Sequence, residues 1–215
     1  CKIKMQIYRN RRKDIKPTME GQNKSLFQLF VPLCLETIFY MLSGMVDTLM
    51  LSSVGDQAVG AVGTANTYIG VFIIMYSVVS MGMLAVMTQN IGAGRPGIAC
   101  QAKTLGLWFN GILGVVMSVF LFFCSDGILY VVGIAPALKE PAVQYLRIVG
   151  GGSILNAMIP ILAGYLRAFG YTKQPLIATV TGNILNFILN AVFLFRFHLG
   201  VQGVASATVI SKVVN

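Results

Sequence analysis

The sequence predicts an all-α membrane protein, a single bundle of six transmembrane helices. Hydrophobic residues make up 56% of its 215 residues and charged residues only 11%, against roughly 25% charged in ordinary soluble domains. The mean hydropathy is +0.76. The apolar residues also gather into six runs, most of them long enough for the roughly 20 helical residues that cross about 30 Å of hydrocarbon. Repeated spans of this kind build one bundle rather than two soluble domains.

Residues 1–25 form a polar, basic tail. Lys2, Lys4, Arg9, Arg11, Arg12, Lys13, Lys16 and Lys24 carry much of the net charge of +9, opposed there only by Asp14 and Glu20. A short basic segment beside a membrane span is a topology signal that also touches anionic headgroups, so the expected partner is the bilayer and not nucleic acid. The tail is too long and too charged for a cleaved signal peptide, and the first span is expected to be retained. Cys1, Cys34, Cys100 and Cys124 have no metal-ligand spacing, and Cys34 and Cys124 read as small hydrophobes within apolar runs.

The spans are expected at about 26–51, 58–91, 104–124, 142–165, 175–195 and 201–215. Span two is rich in small residues (Gly60, Gly63, Ala65, Gly70, Ser77, Ser80, Gly82), which let helix backbones approach closely in a bilayer. It is longer than one crossing, so it must tilt, kink or protrude. Gly92 to Gly97 makes a break, in a loop with Arg95 and Lys103. Span three has little polarity beyond Asn110 and Ser118. Ser125 to Pro141 reads as a long connection with a short interfacial helix and a turn. Span four contains the run Gly150 to Gly152 and Pro160, where flexing is expected. Arg167, Gly170 and Lys173 mark the next loop, and Pro175 opens span five. Arg196, His198 and Gly200 form the last turn before span six, which carries Lys212 near residue 215. His198 reads as an interfacial hydrogen-bonding residue. Basic residues concentrate in the tail and in alternate loops, which puts the N-terminus on the cytoplasmic side.

Two polar patterns interrupt this apolar framework. In span one, Pro32, Glu36, Tyr40, Ser43 and Asp47 follow at spacings of four, four, three and four, so they share one helix face that must meet protein or water. An acid inside a membrane span is a functional candidate by default, although Asp47 lies about 30 Å from Leu26 along the axis and could be solvated at the far interface. In span five, Thr179, Asn183, Asn186 and Asn190 also share a face. Amides in hydrocarbon either bind neighbouring helices or line a wet cavity. With Thr208 and Ser211 of span six, Asp47 and these amides supply one carboxylate and several neutral oxygens. A small hard cation or a titrating proton site would use such a set, and an interhelical hydrogen-bond network without an ion would use it equally.

In order along the chain, these residues resemble the multidrug and toxic compound extrusion (MATE) transporters. The matches are Pro32 with Val46-Asp47-Thr48, Gln89 to Arg95, Gly164 to Thr172 with Pro175, Asn186 to Asn190, and Gly200 to Thr208. The resemblance implies one six-helix lobe of a twelve-helix, two-lobe transporter that rocks between inward-open and outward-open states. The chain is therefore expected to be a fragment lacking the C-terminal lobe. Carried over residue by residue, the family's N-lobe cation site falls on Asp47, Asn186, Asn190 and Thr208, with Glu36, Tyr40, Ser43, Asn183 and Thr179 as candidate cavity lining. Some members have a second acid where Asn190 stands, which leaves the coupling ion open between Na+ and H+. Glycine is common where Ala168 stands, and Glu36 has no assigned family role.

The function expected is antiport in the plasma membrane, exporting small amphipathic or cationic organic compounds with no tightly bound cofactor. A lipid-linked oligosaccharide flippase of the same superfamily is the first alternative. It would favour a basic cavity for a pyrophosphate, and no Arg or Lys is expected deep in the spans before Lys212. A non-transporting membrane scaffold is the second. An enzyme is not expected, because the sequence has one His, no metal-ligand cluster and no nucleophile motif.

Overall fold

The computed structural model describes residues 26–215, all helix and turn, with no strand among them. The expected basic tail lies outside the described residues. The helices are α1 (Leu26–Ser52), α2 (Asp56–Gly92), α3 (Pro96–Val131), α4 (Pro136–Gly151), α5 (Ser153–Ala168), α6 (Lys173–Ala191) and α7 (Gly200–Val214), with a π-helical segment at Val192–Arg196. Four helices are individually long and apolar enough to cross a membrane. The pair α4 and α5, bent by 44°, adds a fifth crossing if it is one span, and α7 is a shorter apolar helix.

Helices α2 to α5 pack against one another, while α1, α6 and α7 form a second group joined to the first mainly where α7 meets α4. The largest core cluster includes Leu51, Ala61, Ala65, Leu121, Leu146, Val149 and Val204. Outside it, α3 exposes Leu105, Phe109, Ile112, Val116, Phe120 and Phe123 at helical spacing, a stripe suited to acyl chains. The methionines divide between the two environments: Met41, Met45 and Met81 are exposed, whereas Met83 and Met87 are buried.

Several expectations need correction. Helix α3 begins at Pro96 and runs to Val131, so Lys103 lies inside it and the expected long connection shrinks to a turn at 132–135. Pro at the first helical position suits a start, because its missing N–H has no helical partner there anyway. Span four is two helices, and the break falls at Gly152, within the glycine run where flexing is expected, while Pro160 stays inside α5. A Cβ at Gly152 would stand 3.1 Å from a Val209 methyl, so α7 packs into the bend. The Ser118 hydroxyl of α3 accepts a hydrogen bond from the Ile154 N–H freed at this break, at 3.1 Å.

Close helix approach occurs at some of the small residues expected to allow it, Ala65 being fully buried and Ser80 donating to the Pro160 carbonyl of α5 at 2.7 Å, but not at all of them. Cβ atoms at Gly63, Gly70 and Gly82 of α2 would meet nothing within 4 Å. The tight crossings are at Gly114, against Ala157 and Ile154, and at Gly150, against Leu121. Buried Asn110 fastens the same region, its Nδ2 donating to the carbonyls of Tyr76 on α2 at 3.2 Å and Ala157 on α5 at 3.0 Å. At the far end of α6, His198 is exposed and holds φ 52°, so it makes a left-handed turn before Gly200.

Candidate functional site

Asp47 is half-buried on α1 and faces α6. Its Oδ1 accepts a hydrogen bond from Asn190 Nδ2 at 2.5 Å, and the same amide donates to Asn186 Oδ1 at 3.3 Å. Both asparagines are buried, and the register follows from sequence: Asn186 and Asn190 are one helical turn apart on the face that meets α1. The π-helical turn opens two residues after Asn190, and such turns often occur at functional sites.

Asn190 Oδ1 is buried without a hydrogen-bond partner. Beside a carboxylate, an unpaired acceptor is the feature a hard cation would satisfy, so the oxygens of Asp47, Asn186 and Asn190 fit Na+ as well as they fit a proton on the acid. Thr208 bonds within its own helix: its hydroxyl donates to the Val204 carbonyl at 2.9 Å, and it faces the buried Tyr145 hydroxyl of α4. Tyr145 also faces Asn66 of α2 and lies within electrostatic reach of Asp47 and Tyr40.

The remaining polar residues have separate surroundings. Asn183 Nδ2 donates to the Phe39 carbonyl of α1 at 2.7 Å, bracing backbone rather than pointing at Asp47. Thr179 is buried, Ser43 is half-buried and Tyr40 is 62% exposed. Glu36 forms an ion pair with Arg167 of α5, both largely buried. Arg167 therefore belongs to the last turn of a helix and to the interior, and is not only a charged loop marker.

Three participants were not singled out by spacing. Tyr145 stands at the start of the fourth crossing, Asn66 is a lone amide in a run of small residues, and Lys212 is a single charge near residue 215. An ionisable residue inside an apolar span is itself the signal that would have found Lys212. At the opposite end of the lobe from Glu36, Asp126 pairs with Lys139 at 3.0 Å and with Arg147 at 3.6 Å, tying α3 to α4.

An apolar-faced helical bundle with a paired acid and amide row between its helices defines a multi-pass membrane protein. The MatE family model matches residues 32–192, and the chain belongs to that family of multidrug efflux transporters. It is 34% identical over 194 residues to the uncharacterized transporter YisQ of Bacillus subtilis, covering 88% of this chain and 43% of that protein. It is 30% identical over 199 residues to the probable multidrug resistance protein NorM of Thermotoga maritima, covering 89% and 42%. An outward-facing structure of a multidrug resistance MATE family transporter superposes with a TM-score of 0.80 at 26% identity, covering 86% of this chain and 41% of that one. The chain thus spans less than half the length of the relatives it matches. The relatives are transporters, in keeping with the absence of a catalytic reading.

Proposed function

We propose that the full-length protein is an antiporter in the cell membrane that exports small amphipathic or cationic organic compounds in exchange for Na+ or H+. The hydrogen bond from Asn190 to Asp47 is the observation that supports this reading most. It sets a carboxylate between two membrane helices, beside an oxygen that lacks a donor, where a cation can enter and leave as the helices move. Asp47 is assigned as the coupling residue, Asn186 and Asn190 as its neutral ligands, and Thr208 as a member acting through Tyr145.

A bound cation neutralises Asp47 and changes the relative stability of the two transport states, because a ligand shifts an equilibrium only by its differential affinity for them. A second lobe, formed by the same polypeptide, completes the substrate path. The basic tail, with Arg95 and Lys173 at alternate connections, supports an N-terminus in the cytoplasm.

The test is Asp47→Asn in the full-length transporter, reconstituted in proteoliposomes with ethidium as the cationic probe. Export driven by an imposed Na+ or proton gradient should be lost, while the variant still expresses and folds. Gradient-driven export at the unaltered rate would remove Asp47 from the mechanism.

A further inference from the structure

Lys212 takes no part in the assignment above, yet it lies on the same interior. An ammonium within a spanning helix is costly unless its surroundings satisfy it. Here its Nζ donates to Asn156 Oδ1 at 2.8 Å, on α5 just beyond the Gly152 break. Asn156 Nδ2 is buried without a partner, so the lysine bond anchors that side chain. Lys212 is half-buried, one helical turn beyond Thr208 on α7, a helix that meets both α4 and α1.

The groups around Asp47 come from every neighbouring element. Asn190 approaches from α6, Tyr145 from α4 and Lys212 from α7, with Tyr40 on α1 near Tyr145. Among the described residues, Glu36 is held by Arg167 and Asp126 by Lys139. Among the described residues, Asp47 and Lys212 are thus an acid and an ammonium of this interior that no salt bridge ties to another side chain.

We propose that Lys212 is a resident counter-cation that competes with the coupling cation at Asp47 and so sets how large a driving gradient the site requires. With Asp47 ionised, the pair is neutral. Once a cation occupies Asp47, the interior carries an uncompensated positive charge on Lys212, which works against cation retention and against a cationic substrate sharing the cavity. Asn156 holds the ammonium back from closing a salt bridge with Asp47, keeping the carboxylate open to exchange. The inference rests on Asp47 being the coupling residue; Lys212 itself is a positioning residue that acts through charge.

The test uses the full-length transporter in proteoliposomes, with ethidium as probe. Na+ is titrated at fixed pH, and a pH gradient is varied separately without Na+. Lys212→Gln should lower the half-saturating concentration of the driving cation roughly fivefold or more, since a like charge in the same interior has been removed. Lys212→Arg, which keeps the charge, should stay within about twofold of the parent protein. Lys212→Met replaces the glutamine variant if that one is not recovered folded. An unchanged half-saturation after Lys212→Gln or Lys212→Met overturns the proposal, as does an equal shift with arginine. A silent Lys212→Gln beside an inactive Asp47→Asn removes only the lysine, whereas a fully active Asp47→Asn removes the coupling site itself.

Discussion

The crossing of α3 over α5 at Gly114 gives a quantitative test of what holds the lobe together. A Cβ there would fall 2.9 Å from Ala157 Cβ and 3.0 Å from Ile154 Cα, whereas ordinary contact begins at 3.4 Å. The second neighbour is backbone and cannot rotate away, so Gly114→Ala must push two helices apart. Overpacking of this kind costs about 1–3 kcal/mol. Alanine also favours a helix over glycine by about 1 kcal/mol, which would mask part of the loss. Gly63→Ala supplies the control, because Gly63 lies in a helix with nothing within 4 Å of its would-be Cβ. Both variants gain the same helix propensity, so the difference between them isolates the crossing. Unfolding midpoints in mixed detergent micelles should place Gly114→Ala about 1–3 kcal/mol below Gly63→Ala. Equal midpoints would refute the claim that close backbone approach at Gly114 stabilises the bundle.

Two further predictions concern polar groups between helices. Asn110→Ala removes both bonds to the Tyr76 and Ala157 carbonyls and should lower stability by about 1–3 kcal/mol in the same unfolding measurement. An Asn110→Ala protein as stable as the parent would show that these bonds contribute nothing. Glu36→Gln leaves the Arg167 guanidinium unpaired in a largely buried position and should destabilise by about 1–3 kcal/mol. The double change Glu36→Leu with Arg167→Met removes both charges and should be less harmful than Glu36→Gln alone. A strictly additive double-mutant cycle would rule out the pairing.

Much of this architecture was legible because its signal is local. Apolar runs marked where most of the helices lie though not their bounds, and the 3.6-residue period put Asn186 and Asn190 on one face and Glu36 and Asp47 on another. The same period could not say that Asn183 would turn to the Phe39 carbonyl instead of to Asp47, because the two asparagine positions differ only in what the facing helix offers them. Nor could composition separate the glycines that meet a neighbour from those that face open space. Gly114 and Gly63 look alike in sequence, and only the crossing of α3 with α5 distinguishes them.

By itself, the sequence determined that the chain crosses a membrane several times and that an acid and an amide row interrupt its apolar helices. Hydrophobic burial depends on composition and period, which are one-dimensional properties. Tertiary structure decided which polar groups meet. It joined Glu36 to Arg167 across 131 residues, bent the fourth crossing at Gly152 where Val209 packs, and set Lys212 against Asn156. These pairings depend on the angles and offsets at which distant helices cross, and no local pattern along the chain records them.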